Sequence, residues 1–191
     1  MRLLESPNLT ELPPLDRRFE DETGTGAAPA GSGPSVEGVA SAYHDVARRF
    51  PAIDTLAAEE RVRAGACFLD VGEQLLVCGE HDELYLDMAV SALGAAVMAA
   101  PSCARARKKL AEALVAARRD AEAIEVLRAA RVLAPSDPEI LGTLALALRR
   151  GGERDDALAV RGELRGVLGS NAEVLDVLER VPDASAYRHR M

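Results

Sequence analysis

This chain has no tryptophan, only three phenylalanines and three tyrosines, and just two lysines among its 23 basic residues. Scarce aromatics with abundant Ala, Leu and Val argue against a sheet-based core, which draws on aromatic and β-branched side chains, and favour packed helices. The three cysteines, Cys67, Cys78 and Cys103, form no CxxC pair. An odd count with no metal-ligand spacing predicts reduced, core-packed thiols and a cytoplasmic protein. The opening "MRLLESPNL" has no apolar stretch of the kind a secretory leader carries. The longest apolar run, "MAVSALGAAVMAA", is too short to span a bilayer, so it is expected to be a core helix and no membrane insertion is expected.

Chemistry is equally sparse. His44, His81 and His189 have no ligand spacing among themselves or with the cysteines. The stretch "GTGAAPAGSG" has glycines but no preceding strand and no lysine, so it cannot cradle phosphate. Neither Ser-x-x-Lys nor Gly-x-Ser-x-Gly occurs. The acidic group Glu153, Asp155 and Asp156 reads as a solvated turn leading into a helix. These absences predict a non-enzyme with no cofactor and no metal. The formal net charge of −8 argues against nucleic acid, whose phosphates require clustered Lys and Arg.

The charge is unevenly spread. Residues 1–100 hold 7 basic and 17 acidic residues, residues 101–137 hold 8 and 5, and the rest hold 8 and 9. Composition changes along the chain as well. Residues 1–35 are expected to be a disordered tail ending in a Gly/Pro-rich linker, "TGTGAAPAGSGPS". A helical domain over 36–181 follows, then a flexible tail over 182–191. Within the first tail, Leu9, Leu12, Leu15 and Phe19 are spaced between polar residues. A bare linker has no need of them, so they are candidates for a linear docking segment, acting on a partner or in the chain's own groove.

The body repeats itself every 34 residues. Ala89 falls on Ala123 and Ala157, Leu93 on Leu127, Ala96 on Ala130, and Pro101 on Pro135. Leu76 falls on Leu110 and Leu144, Val77 on Ala111 and Ala145, and Leu114 on Leu148. Small residues at fixed places allow two helices to approach closely. Pro135 and Pro138 interrupt helix, and Ser136 or Asp137 between them can cap the next one. Residues 36–50 read as a helix ending at Pro51. Residues 54–80 read as one long helix or two, with Gly72 as a break point, so that 36–69 is a candidate degenerate fourth pair. Residues 171–181 read as a last amphipathic helix.

The 34-residue pattern resembles the tetratricopeptide repeat family, in three copies over 70–103, 104–137 and 138–171. Leu replaces the usual aromatic throughout, Glu80 stands at an aromatic place in the first copy, and Arg161, Leu164 and Gly169 depart from the pattern in the third. The resemblance implies an all-α fold: a right-handed superhelical solenoid of helix-turn-helix pairs, with extra helices at the N-terminal side and a C-terminal capping helix. It implies that first helices line a concave groove where a protein or peptide partner lies. Carried over by position, that groove contains Gln74 and Cys78, then Arg105, Lys108, Lys109, Glu112 and Val115, then Glu139, Gly142, Thr143, Leu146 and Arg149. Relatives that grip a chaperone's C-terminal carboxylate use a Lys/Asn/Asn/Lys/Arg clamp; here Gln74, Cys78, Lys109, Glu139 and Thr143 take those places, which excludes that ligand. The cluster Arg105, Lys108 and Lys109 suggests an acidic or mixed peptide. The function implied is a bacterial adaptor or scaffold, monomeric or weakly dimeric. The alternatives are a dedicated chaperone of a specialised secretion system and, less favoured, an enzyme's regulatory subunit.

Overall fold

The computed structural model describes residues 35–79 and 82–169. All elements among these residues are helical: α1 (Val36–Arg49), α2 (Ala58–Cys78), α3 (Glu83–Ala99), α4 (Ala104–Ala116), α5 (Asp120–Leu133), α6 (Pro138–Gly151) and α7 (Arg154–Leu168), with a short 3₁₀ turn at Ile53–Thr55 after α1. The tail, the linker and the expected helix over 171–181 lie outside the described residues.

Local chemistry sets the helix ends. Asp137 caps α6 by accepting from the backbone of Glu139 at 2.9 Å and Ile140 at 3.2 Å, and Pro138 opens the helix where no donor is needed. Ser35 and Asp82 do the same for α1 and α3. The turns after α4 and α6 share one design. Arg119 N donates to Leu114 O at 2.8 Å and Arg118 N to Val115 O at 3.2 Å; Glu153 N donates to Leu148 O at 2.9 Å and Gly152 N to Arg149 O at 3.2 Å. Each needs one residue in the left-handed region. Gly152 takes it freely at φ 89°, whereas Arg118 takes it at φ 60° against the steric preference of an L-residue.

The helices pair as α2/α3, α4/α5 and α6/α7, and each second helix packs on the first helix of the next pair. The body is thus an all-α solenoid of helix-turn-helix pairs. Residues 36–69 do not form a fourth pair. Among the described residues α1 packs on α2 in the place a preceding second helix would take, and residues 58–69 are the first half of α2. Phe50, Phe68 and Tyr43 fill the core at this end, with Tyr43 Oη 2.9 Å from Ser91 Oγ on α3. Burial holds the Tyr43 hydroxyl above the ordinary tyrosine range.

Gly72 does not break α2. A methyl group there would stand 2.6 Å from Cγ of the fully buried Leu93, so glycine lets α2 and α3 touch. This corrects the register of the first pair. Val71, Gly72 and Leu75 face the core with the same spacing as Leu110, Ala111 and Leu114 in α4, and Leu144, Ala145 and Leu148 in α6, and one turn earlier Phe68 is buried as Leu141 is in α6. Gly72, not Val77, is therefore the counterpart of Ala111 and Ala145, and Val77 is 67% exposed where those alanines are buried. The first helices are 39 and then 34 residues apart, whereas Ala89, Ala123 and Ala157 on the second helices keep 34 and are all buried. The additional residues go into a longer turn after α2 and an extra helical turn at the start of α3.

Two paired substitutions check this packing. Gly72→Ala should lower stability by about 1–3 kcal/mol through overpacking, whereas Gly94→Ala, with no atom within 4 Å of the new methyl group, should raise it by up to about 1 kcal/mol through helix propensity. Ala123→Leu should likewise cost about 1–3 kcal/mol, and Ala116→Leu on the exposed side of α4 should leave the melting temperature nearly unchanged. Thermal and urea unfolding read both pairs.

Candidate protein-binding groove

The first helices α2, α4 and α6 lie side by side. Between α2 and α4 opens a depression of about 380 Å³ lined by Glu73, Leu76, Val77, Lys109 and Glu112. Its apolar part is Val77 and the half-buried Leu76; its rim carries two carboxylates and one ammonium. Glu73, Leu76 and Val77 were not reached by counting 34 residues back from α4. The register fixed by the burial of Phe68, Val71, Gly72 and Leu75 makes Glu73 the counterpart of Glu112 and Val77 that of Ala116. Leu69 and Glu73 then replace Gln74 and Cys78 at the clamp positions, and a carboxylate at Glu73 is still less suited to a terminal carboxylate. Gln74 instead donates to Asp70 Oδ2 one turn away, at 3.1 Å.

The basic cluster on α4 is neutralised by its own neighbours. Arg105 forks onto Glu73, Nε and Nη2 each at 2.8 Å from a carboxylate oxygen. Lys108 bridges to Glu139 on α6, with Asp137 Oδ2 at 3.8 Å. Lys109 Nζ is 2.7 Å from Glu112 Oε2. For Arg105 and Lys108, sequence spacing hides this because the partners sit about one repeat away, on a neighbouring helix; Lys109 pairs within its own helix. The face therefore presents alternating, compensated charges instead of a positive patch for an acidic peptide. The hydrogen bond it donates to Glu139 holds the Lys108 ammonium above the ordinary lysine range, against the opposing effect of its partial burial.

Of the remaining expected groove residues, Thr143, Leu146 and Arg149 all lie on α6, one helix beyond the depression. Thr143 Oγ1 donates to Glu139 O at 2.8 Å, Leu146 packs half-buried on the core, and Arg149 is half-buried. The docking candidates Leu9, Leu12, Leu15 and Phe19 lie outside the described residues.

Ion pairs also tie successive repeats on the outer layer. Arg131 reaches Glu163 at 2.7 Å, and Arg128 reaches Glu153 at 2.9 Å and Asp156 at 3.4 Å. Two acids expected in a solvated turn thus anchor α7 to α5. The most enclosed pair is Arg150–Asp120 at 3.3 Å, where Arg150 Nη1 also donates to Val115 O at 3.1 Å. Burial pushes the Asp120 carboxyl above the usual carboxylate range, and Arg150 opposes that shift.

Among the described residues, no group of three or more His, Cys, Asp or Glu is placed to hold a metal ion. No helix among them is long and apolar enough to cross a membrane. The three cysteines are free thiols and only half-buried, so the core-packed reading holds for one side of each.

Comparison with known proteins agrees with the helix pairing. The family described as tetratricopeptide repeat matches residues 104–147, which span α4, α5 and most of α6. The matched segment is similar to one tetratricopeptide repeat and the start of the next, and the helix pairs before and after it have the same helix-turn-helix architecture. Among solved structures, a mutant of MamA is similar at 21% identity, covering 68% of this chain and 96% of that one with a TM-score of 0.47. No curated protein matches.

The ion pairs predict graded costs. Arg150→Ala leaves the half-buried Asp120 without its cation and should cost about 2 kcal/mol, below the roughly 3–5 kcal/mol of a fully buried pair. Lys108→Met should cost at most about 1 kcal/mol. Because the folded-state pKa of Lys108 is raised, its contribution is complete below the ordinary lysine range and disappears as pH rises through the folded value. Wild type and Lys108→Met should therefore converge in melting temperature in strongly alkaline buffer and differ at neutral pH.

Proposed function

We propose that this chain is a non-catalytic adaptor that holds an extended segment of a partner protein in the groove formed by α2, α4 and α6. The observation that carries the reading is the depression between α2 and α4, with Val77 exposed at its edge and a rim of compensated charge. An unpaired basic patch would select for net negative charge. This arrangement favours an apolar side chain flanked by residues of both signs. Arg105, Lys108, Lys109 and Glu112 form the rim and its supports, and Thr143, Leu146 and Arg149 extend the surface along α6. The tail residues Leu9, Leu12, Leu15 and Phe19 act as a second docking segment. The protein works in the cytoplasm as a monomer or weak dimer, without nucleic acid.

The test is affinity capture of native-host proteins by the full-length chain and two surface variants. Val77→Asp places a charge in the depression and should lose the groove-bound partner, with little change in melting temperature. Val132→Asp alters a residue that is 80% exposed on a second helix and should retain it. Equal recovery of every partner by both variants would remove the groove from the account. Light scattering on the purified chain checks the oligomeric state; a tight higher oligomer would contradict it.

A further inference from the structure

The depression between α2 and α4 is lined near the end of α2 by Leu76 and Val77. α1 returns antiparallel onto α2 through the short connection 50–57, and the Tyr43–Ser91 hydrogen bond pins the middle of α1 to the middle of α3. Val36, at the start of α1, therefore lies at the same end of the stack as the last turn of α2, which carries Leu76 and Val77. α1 belongs to the layer of second helices, and the depression opens on the layer of first helices. Crossing between the two takes about two helix diameters, roughly 20 Å.

The segment that must make this crossing is "TGTGAAPAGSGP", residues 23–34. A Gly-rich chain of that length has a root-mean-square span of about 17–21 Å. A linker whose span matches the distance gives the segment beyond it an effective concentration in the millimolar range. That segment includes "LPPLDRRF", residues 12–19. Proline disfavours helix and favours extended backbone, so docking of a segment with Pro13 and Pro14 as an extended strand would cost little ordering entropy. Its chemistry matches the depression. Leu12 and Leu15 suit the apolar surface of Leu76 and Val77, Arg17 and Arg18 suit Glu73 and Glu112, and Asp16 suits Lys109. Each rim carboxylate keeps acceptor positions beyond its present partner.

We propose that residues 12–19 of the chain's own tail occupy the α2–α4 depression in cis, so that a partner must displace them. This rests on the groove reading above and commits the tail's docking to the chain itself. In the full-length protein, a photoreactive benzoylphenylalanine in place of Val77 should cross-link to residues 12–19, and peptide mapping by mass spectrometry identifies the site. In a mixture of isotopically light and heavy chains, the cross-links should be light–light and heavy–heavy only. Leu12→Asp with Leu15→Asp should abolish the cross-link and tighten partner binding. The same probe in place of Val132 should give no tail cross-link. Absence of tail cross-links at position 77, light–heavy products, or weaker partner binding by the double variant would each overturn cis docking. The groove reading is judged separately: if Val77→Asp keeps its partner while the intrachain cross-link forms, the adaptor site is wrong and the tail contact stands.

Discussion

Close approach of two helix backbones, at one small residue on each side, sets everything else in this solenoid. Gly72, Ala111 and Ala145 on the first helices, and Ala89, Ala123 and Ala157 on the second, leave room for large side chains such as Leu93 and Leu127 to fill the space between pairs. Interiors are packed to crystal density, so a single added methyl group at such a place must displace a neighbour. The body therefore folds with few aromatics: Ala and Leu bring the helices near enough that no large ring is required. The exception is the α1 end, where Tyr43, Phe50 and Phe68 are buried. There, among the described residues, α1 packs on α2 in the place of a second helix.

The same stacking decides the electrostatics. Once consecutive first helices lie side by side, residues 31 or 32 apart become neighbours, and Glu73–Arg105 and Lys108–Glu139 close across the interface. Arg131–Glu163 does this on the outer layer. Such exposed pairs contribute little each. Their larger effect is on recognition, because they consume the positive charge that the local sequence of α4 advertises. What remains open to a ligand is an apolar depression with both signs of charge at its edge, a surface suited to an extended amphipathic segment.

The opposite ends of the stack differ in finish. At one end α1 covers the first pair. At the other, Leu158 on α7 is 61% exposed, whereas its counterpart Ile124 on α5 is 3% exposed beneath the end of α6. The next helix of a solenoid would pack at that position. Gly169 at φ 61° turns the chain at the end of α7, and the apolar positions of 171–181 follow directly in sequence.

The sequence by itself determined the repeating helix pairs, their boundaries at Pro101 and at Pro135 to Pro138, the capping role of Asp137, and the buried alanines of the second helices. These follow from local rules: proline lacks a donor, aspartate accepts from free backbone amides, and alanine permits close packing. Only the tertiary structure decided the register of α2, because a strict 34-residue count fails where five residues enter between Leu75 and Ala89, and the burial pattern instead follows the core-facing stripe. It alone revealed Gly72 as a contact point, since a glycine that breaks a helix and one that admits a neighbour look the same in one dimension. It alone paired Arg105 with Glu73 on α2 and Lys108 with Glu139 on α6, beside the local Lys109–Glu112 pair, and so moved the candidate site from that basic cluster to the depression beside Val77. Charge compensation between stacked repeats depends on which faces meet, and that is fixed only when the helices pack.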